Sequence, residues 1–525
     1  MFRRLALSGV TRQARSERAK RPGLGRIASG HGVSMMFFIR RHKFNGTGSC
    51  SRIVYIAFNA PITGYLTFHG TSAAPNHANA CAMTGFPPST AVFIPSWLVN
   101  MTDNLHLTAP SCSDDHDPSA LQADVARQRI LDAVTPLEFA ASERLNLLQA
   151  LDRVLAEDIV AAIDVPPYDN SAMDGYALHA HDLPGGGVRE LRIAGASFAG
   201  HPFNGVCGSG ECVRIMTGAV MPAGADTVIP IEHAECIDAT AIRIDGRTRA
   251  GDNVRAAGED IRQGRTVLTG GRRITSADLG LIASLGIAQV AVKRRLRVAV
   301  FSTGDELRAI GASLQPGQIY DSNRYTLHGL LTRQHCEVTD LGVVRDDQSA
   351  LRAALQSAAR EHDVVITSGG VSVGEADLVR QVLGELGEIA FWKVAIKPGR
   401  PLIFGHLGSA VFFGLPGNPV AVMVTFSQFV QPALQRLAGE TAEPPLILRA
   451  VSGSTLKKRA GRTEYQRGIL TQDGDGKLIV CKTGEQGSGM LSSMSRANCF
   501  IVMPSAQTRV EPGSEVMVQP FAGWL

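Results

Sequence analysis

The chain has 525 residues, of which 44% are apolar and 19% are charged, and its formal net charge is +4. At about 100–200 residues per domain, this length indicates three or four domains, and the composition excludes collagen-like, coiled-coil and wholly disordered proteins. Aromatic residues make up only 6%, which argues against a surface that stacks nucleic-acid bases.

The first fifth of the chain differs chemically from the rest. Residues 1–102 contain twelve Lys and Arg but a single acid, Glu17, so the remainder of the chain is mildly acidic. The net charge therefore gives no reason to expect a nucleic-acid partner. The Arg-rich, almost acid-free start resembles an organellar transit peptide.

The uncharged stretch within this region does not predict a membrane span. Its most apolar run, 53–68, is interrupted by Asn59 and Pro61, whereas a spanning helix needs about 20 mostly apolar residues. Acidic residues become frequent only after this stretch, which favours the hypothesis that translation begins at Met101. We expect residues 1–121 to be an N-terminal extension that is disordered or spurious.

The next part of the chain alternates between helical and strand patterns. Apolar residues at helical spacing predict helices within 122–158, and SADLGLIASLG in the segment 265–295 predicts another. We expect these two segments to form one helical linking domain. Between them, residues 159–264 consist of short apolar runs separated by Gly, Pro and Asp, which predicts a β-rich domain.

The clearest pattern lies in residues 296–442. Buried strands such as RVAVFST and DVVITS alternate with amphipathic helices, which predicts a doubly wound, mostly parallel sheet. Short strands then follow in residues 443–525 and predict a small C-terminal β-barrel. The expected fold class is therefore a multidomain α/β protein.

Three unusual turns follow strands of the predicted parallel sheet. They are Thr303–Glu306, the glycine-rich segment Gly369–Asp377, and Leu415–Pro419. Ligands of such sheets bind at the carboxyl ends of the strands, and bare glycine amides before a helix suit an anionic or phosphate-bearing ligand. The alternative interpretation is that each is merely a turn, but three together favour a binding site.

Two kinds of charged residue support an anion site. The chain uses nine Lys against 43 Arg, so Lys393 and Lys397 in WKVAIKPGRP suggest a need for compact point charges, although a solvated surface pair is the alternative. Carboxylates beside a phosphate cradle are what Mg²⁺ requires, although each could instead cap a helix or turn. The candidate acids are Asp174, Asp260, Glu306, Asp346 and Asp377.

Nine motifs in order make a family resemblance specific. DNSAMDGYA, RIMTGAVMP, AGEDI, FSTGDEL, GQIYDSNRY, TSGGVSVGEADLV, FWKVAIKPGRPL, GLPGNPVAVMVTF and QGSGMLSS together resemble the MoeA and gephyrin E-domain family of molybdopterin molybdenumtransferases. The resemblance covers the chain from about residue 124 and implies insertion of molybdate into adenylylated molybdopterin with release of AMP. It also implies a requirement for Mg²⁺ and a four-domain homodimer whose active cleft lies between two subunits.

The resemblance further implies roles for individual residues. The catalytic residues would be Asp174, Thr217 and Asp260 from the partner subunit's β-rich domain, together with Glu306, Asp346 and Asp377 from the α/β domain. Glu306 and Asp377 would also be the ligands of Mg²⁺. Substrate would be bound by Ser368, Gly369, Gly370, Ser372, Gly374, Pro416 and Pro419, with Lys393, Lys397, Arg467 and Ser488 around the molybdate.

Two other functions remain open at this stage. The same fold could transfer an adenylyl group from ATP to molybdopterin, as a molybdopterin adenylyltransferase does, or could act as a non-catalytic scaffold. A complete set of acids and anion ligands favours the enzyme over the scaffold. We expect a cytoplasmic protein without membrane or nucleic-acid partners, and a molybdopterin adenylyltransferase is its candidate protein partner.

Overall fold

The structure is a computed structural model that describes residues 36–43, 50–57, 70–71, 78–80, 93–95, 120–136, 138, 142–370, 376–441 and 444–521. Before residue 120, and at 376–380 and 391, it describes the backbone alone. The chain divides into two compact units, Met1–Thr108 and Ala109–Leu525.

The first unit contains five described strands. They are β1 (Met36–Lys43), β2 (Cys50–Ala57), β3 (Gly70–Thr71), β4 (Ala78–Ala80) and β5 (Phe93–Pro95). The first three form an antiparallel sheet, and β4 pairs with β5. The predictions of a transit peptide and of a start at Met101 concern residues outside the described ones.

The second unit begins with less helix than the sequence pattern predicts. Helix α1 (Ala123–Ala133) is present, but the prediction of a second helix within 122–158 is wrong. Strand β6 (Ser142–Asn146) and a 3-10 turn at Leu147–Gln149 occupy its place. Strand β6 pairs with Gln289–Lys293, a distant segment that supplies the backbone hydrogen bonds a local helix would otherwise make. Leu148 is 89% exposed, so helical spacing here does not mark a buried face.

The segment from 159 to 293 is built on a six-stranded sheet. Its strands are β7 (Ile159–Val160), β8 (Asn170–Ser171), β9 (Gly175–Leu178), β10 (Val188–Ser197), β11 (Glu211–Ile215), β12 (Thr227–Pro230), β13 (Ala234–Cys236), β14 (Ala241–Asp245), β15 (Val254–Arg255) and β16 (Thr266–Leu268). The sheet order is β12-β9-β11-β10-β14-β13. Leu178, Leu191 and Ile242 lie in its core. Helix α2 (Ser276–Ser284) and strand β17 (Gln289–Lys293) follow.

A doubly wound α/β domain follows. Its elements are β18 (Arg297–Thr303), β19 (Leu307–Arg308), β20 (Ile319–Tyr320), α3 (Asn323–Arg333), β21 (Glu337–Val344), α4 (Gln348–Glu361), β22 (Val364–Ser368), α5 (Ala376–Leu386), β23 (Glu388–Lys393), β24 (Ile396–Lys397), β25 (Pro401–Leu407), β26 (Ala410–Leu415), α6 (Pro419–Thr425), a π-helical segment (Phe426–Val430) and α7 (Gln431–Leu437). The sheet order is β21-β18-β22-β26-β25-β23. The first four strands are parallel, as predicted, and β25 runs antiparallel to both of its neighbours, β26 and β23. Separate apolar cores cover the two faces.

The C-terminal segment forms the predicted small barrel. Its elements are β27 (Leu448–Ser452), β28 (Leu456–Lys457), β29 (Thr463–Gln472), β30 (Leu478–Lys482), α8 (Leu491–Arg496), β31 (Cys499–Met503), β32 (Arg509–Val510) and β33 (Glu515–Pro520). Strands β29, β30, β27, β33 and β31 close on one another. Strand β24 pairs in parallel with β29 and so ties the α/β domain to the barrel. Among the described helices, none combines the length and apolarity needed to cross a bilayer.

Candidate functional site

The three predicted turns meet at the carboxyl edge of the parallel sheet. Gly369 has a φ of +93°, and a β-carbon there would lie 2.4 Å from the carbonyl oxygen of Thr303. A β-carbon on Gly417 would lie 3.8 Å from the α-carbon of Gly369. At Gly369, only glycine allows this backbone conformation and the close approach to Thr303. Gly369 and Gly370 are described, whereas Ser372 and Gly374 lie outside the described residues.

Asn323 ties two of these turns together. At the start of α3, its Nδ2 donates to Ser368 Oγ at 2.8 Å and to the carbonyl oxygen of Gly417 at 2.6 Å. Ser368 in turn donates to the carbonyl oxygen of Pro416 at 3.4 Å. A carbonyl oxygen can only accept a hydrogen bond, so the contact to Gly417 fixes the orientation of the Asn323 amide.

A cavity of about 970 Å³ lies between the α/β domain and the barrel. The structure brings Lys393, Lys397, Arg467, Ser488 and Pro416 together in its wall. Eight cationic side chains line it in all: Lys393, Lys397, Arg400, Lys457, Arg462, Arg467, Lys482 and Arg509. Among the lining residues that the structure describes, only two are carboxylates, Glu464 and Glu485. This excess of positive charge in a concave site suits an anionic ligand.

One buried carboxylate sets the position of Lys397. Glu464 is 4% exposed, and its Oε2 lies 3.2 Å from Lys397 Nζ. The other carboxylate oxygen accepts a hydrogen bond from Gln466 Nε2 at 3.0 Å. Lys397 and Glu464 also face each other in the ladder between β24 and β29. The ion pair therefore fixes Lys397 at the junction of the two domains.

Arg467 contacts the loop beside the cavity more than the cavity itself. Arg467 is 1% exposed, with its Nε donating to Ser493 Oγ and its Nη2 to the carbonyl oxygen of Gly487, both at 2.9 Å. Burial lowers the pKa of Arg467 to about 10. The loop carries Ser488, whose carbonyl oxygen accepts from the Val420 N–H at 3.0 Å. Two of the three guanidinium nitrogens of Arg467 are thus committed, Nη2 to this loop and Nε to Ser493 in α8.

Gln486 holds the same loop from the other side. Its Oε1 accepts from the Arg467 N–H at 2.7 Å, and its Nε2 donates to the Arg467 carbonyl oxygen at 3.2 Å. Nε2 also donates to the carbonyl oxygen of Gly484 at 3.1 Å. The side-chain amide therefore behaves like an additional peptide group paired with β29. Gln486 lines the cavity, yet its amide is occupied by the protein.

The β-rich domain carries a second cluster, away from this cavity. Asp174 Oδ1 accepts hydrogen bonds from both the N–H and the hydroxyl of Thr217, each at 2.7 Å. These bonds lower the pKa of Asp174, the backbone bond contributing most. Asp260 is exposed in a separate turn, where its N–H donates to the Val165 carbonyl oxygen. The cavity wall within this chain includes none of the three predicted residues Asp174, Thr217 and Asp260.

The three predicted acids of the α/β domain lie in separate segments of that domain. Glu306 is exposed, and its carboxylate lies over Gly304, where a β-carbon would be 2.5 Å from Oε2. Asp346 is exposed just before α4, and of Asp377 only the backbone is described, in the first turn of α5. Among the described side chains, no group of three or more His, Cys, Asp or Glu is arranged to hold a metal ion.

Three residues of the site were not predicted from the sequence: Asn323, Glu464 and Gln486. Each contacts another residue of the site, and its residue type alone gives no signal of that contact. Asn323 and Gln486 do fall inside the quoted motifs GQIYDSNRY and QGSGMLSS, so motif membership was the available clue. Glu464 lies in no quoted motif, and only the pairing of β24 with β29 identifies it.

Comparison with known proteins gives matches along most of the second unit. Three family models match: "MoeA N-terminal region (domain I and II)" at residues 121–286, "Probable molybdopterin binding domain" at 299–436, and "MoeA C-terminal region (domain IV)" at 449–521.

Sequence relatives and solved structures agree with these matches. A molybdopterin molybdenumtransferase of Haemophilus influenzae is 45% identical over 403 residues, covering 76% of this chain and 98% of that protein. One from Nostoc is 36% identical, covering 72% of this chain and 88% of that protein. The crystal structure of a molybdopterin biosynthesis moeA protein from Pyrococcus horikoshii OT3 covers 77% of this chain and 100% of its own, with a TM-score of 0.67 and 28% identity.

Proposed function

Because the chain belongs to the molybdopterin molybdenumtransferase (MoeA) family, we propose that it inserts molybdate into adenylylated molybdopterin, releasing AMP and forming molybdenum cofactor. The single observation that carries the proposal is the cationic cavity, where Lys393, Lys397, Arg467 and Ser488 converge. These residues come from two domains, so the cavity exists only in the folded chain. We further propose that the enzyme works in the cytoplasm.

Molybdate is a small dianion, and the cavity supplies the groups that bind one. Lysine ammonium groups form strong charge-assisted hydrogen bonds to oxyanions. Lys397 lies at the cavity wall with its position set by Glu464. Ser488 lies on the loop that Arg467 and Gln486 hold. The anion would therefore be oriented at the boundary between the barrel and the α/β domain.

The phosphate-bearing substrate would bind at the neighbouring sheet edge. Ser368, Gly369 and Gly370 present a bare turn there, and Pro416 belongs both to this edge and to the cavity wall. The two substrates would thus meet side by side, which replaces a bimolecular encounter with a fixed geometry. In the reaction, the phosphoanhydride bond breaks as an oxygen from water or molybdate bonds to phosphorus and AMP leaves.

Magnesium is the metal that this donor chemistry fits. Mg²⁺ prefers hard oxygen ligands and commonly combines one or two carboxylates with substrate phosphates, and Glu306 places an exposed carboxylate at the sheet edge. Glu306 and Asp377 would hold the ion, which when bound would neutralise charge on the phosphates. Asp346 would add to the negative charge on this side of the cleft.

We also propose that the active unit is a homodimer. Asp174, Thr217 and Asp260 lie outside the cavity of their own chain, so a partner subunit would bring them to it. A shared site predicts complementation between Asp174→Ala and Glu306→Ala, each inactive alone. After subunit exchange, a two-fold dimer should recover about a quarter of wild-type activity, because half of the dimers carry one intact site. No recovery despite proven exchange would contradict the shared site.

The direct test is AMP release from adenylylated molybdopterin by the purified protein with Mg²⁺ and molybdate. We expect release to depend on molybdate, and Asp174→Ala or Glu306→Ala to abolish it without loss of folding. Lys397→Ala should raise the molybdate concentration needed for half-maximal rate. The matched control is Lys477→Ala, since Lys477 is an exposed lysine outside the cavity wall.

Two outcomes would overturn the proposal. Consumption of ATP with molybdopterin, in place of AMP release, would identify an adenylyltransferase. Absence of turnover in the wild-type protein, with intact folding and intact substrate, would instead favour a scaffold.

A further inference from the structure

Buried side-chain oxygens without hydrogen-bond partners concentrate at one place in the described structure. All four such oxygens lie in the α/β domain: Ser302 Oγ, Thr303 Oγ1, Asn323 Oδ1 and Thr367 Oγ1. Ser302 and Thr303 end β18, Thr367 lies next to the end of β22, and Asn323 begins α3. They therefore cluster at the carboxyl edge of the parallel sheet. A buried polar atom left unpaired destabilises a protein, so such a cluster calls for an explanation.

Two of these oxygens adjoin the glycine turn. Thr303 is 5% exposed, and its Oγ1 would lie 3.3 Å from a β-carbon on Gly369. Asn323 is anchored through its Nδ2 to Ser368 Oγ and to the Gly417 carbonyl oxygen. With Nδ2 committed in this way, Oδ1 is left as a fixed, unpaired acceptor. The fold thus orients both groups and provides partners for neither.

The chemistry of the two atoms restricts which ligand groups can serve as their hydrogen-bond partners. An amide oxygen only accepts, so Asn323 Oδ1 requires a ligand N–H or O–H group and would repel a bare oxyanion. A threonine hydroxyl both donates and accepts, so Thr303 can donate to a ligand oxygen. The complementary ligand therefore carries a donor close to an acceptor, as the edge of a pterin ring does.

We propose that Thr303 and Asn323 bind the pterin substrate directly, and that Asn323 selects for its hydrogen-bond donor. This inference rests on the proposed function, because that function supplies a pterin at this edge. It adds recognition of the organic part of the substrate to recognition of its phosphates. The cationic cavity and the bare amides of the glycine turn recognise charge, whereas these two oxygens recognise a neutral polar group.

The first test replaces Thr303 by valine, which has nearly the same shape but lacks the hydroxyl. Because that hydroxyl has no partner in the protein, the melting temperature should stay the same or rise. The affinity for molybdopterin, measured by isothermal titration without molybdate, should fall about tenfold, as expected for one lost hydrogen bond. Thr303→Ser keeps the hydroxyl and should bind molybdopterin nearly as the wild type does.

Thr367→Val is the matched control, because Thr367 is equally buried and equally unpaired but lies one residue before the end of its strand. We expect its molybdopterin affinity to stay at the wild-type value. Equal weakening in both valine variants would indicate general loosening of the sheet edge and would overturn the inference. A marked fall in the melting temperature of Thr303→Val would also overturn it, since a structural water would then be the partner of the hydroxyl.

The second test separates donor recognition from turn stability. Asn323→Ala should weaken binding of molybdopterin about tenfold more than binding of inorganic pyrophosphate, which offers oxyanion oxygens in place of a ring N–H. If the binding of both probes weakens equally, Asn323 only anchors the turn, and its role in selecting the ligand is refuted. If the wild-type protein binds no molybdopterin at all, the proposed function fails. If it binds normally and Thr303→Val is unchanged, only this inference fails.

Discussion

Gln486→Ala tests how the loop that carries Ser488 is held beside the cavity. The side-chain amide makes three hydrogen bonds of 2.7, 3.2 and 3.1 Å to the backbone of Arg467 and Gly484. At about 1 kcal/mol net for each bond, the substitution removes roughly 2–3 kcal/mol that keeps the loop ordered. Since about 1.4 kcal/mol corresponds to a tenfold change in affinity, the dissociation constant for molybdate should rise about 30- to 140-fold.

The assay is molybdate binding by isothermal titration, combined with AMP release at saturating molybdate. Because Gln486 acts through the loop, we expect weaker binding but a nearly unchanged rate at saturation. Gln486→Glu should be intermediate, since a carboxylate can accept from the Arg467 N–H but cannot donate to a carbonyl oxygen. Gln472→Ala is the control, because Gln472 ends β29, the strand that carries Arg467, and donates to Gly476 in an exposed hairpin. Wild-type affinity in Gln486→Ala would refute the reasoning.

Three further predictions concern other parts of the chain. Thr217→Val removes one of the hydrogen bonds that lower the pKa of Asp174. The acid limb of the profile of activity against pH should therefore move to higher pH, and an unchanged limb would exclude Asp174 from the reaction. Burial raises the pKa of Asp363, but hydrogen bonds, of which that from Arg294 is the largest, lower it overall. The wild-type protein should therefore be more stable than Asp363→Asn by a difference that is full above about pH 4 and shrinks as the pH falls below that. Urea unfolding at several pH values measures this difference, and a pH-independent difference would contradict the assignment. Gly369→Ala should destabilise the protein by at least about 2 kcal/mol, because φ is +93° and the new methyl group meets a carbonyl oxygen at 2.4 Å, which a thermal melt would detect.

Local patterns predicted the α/β domain well because its elements carry their own signals. Helix α4 (Gln348–Glu361) has apolar residues at helical spacing and an Asp347 cap, and β22 (Val364–Ser368) is a continuous buried run. The segment 142–149 shows the limit of such patterns. Its leucines have helical spacing, yet the chain forms β6 because a partner strand lies near residue 290. Periodicity along one segment contains no information about that distant partner.

For the functional site, too, the sequence and the tertiary structure reveal different things. The family resemblance implied Lys393, Lys397, Arg467 and Ser488 as a set, and the fold places all four at one cavity. The same resemblance gave Arg467 the role of an anion ligand. The structure shows that two of its nitrogens are committed to Ser493 and to the loop backbone. Residue type reveals that a cation is present, but only geometry reveals how many of its donors remain for a ligand.

By itself, the sequence determined the order of the domains, the glycine turns and the family, because each is encoded in contiguous residues. Tertiary structure alone decided the pairing of Lys397 with Glu464, the clamp of Gln486 on Arg467 and the unpaired oxygens of Thr303 and Asn323. Each of these depends on groups brought within about 3 Å across tens of residues or more, or on the absence of such a partner. Hydrogen bonds and ion pairs weaken steeply with distance and misalignment, so only the folded chain determines which of them form.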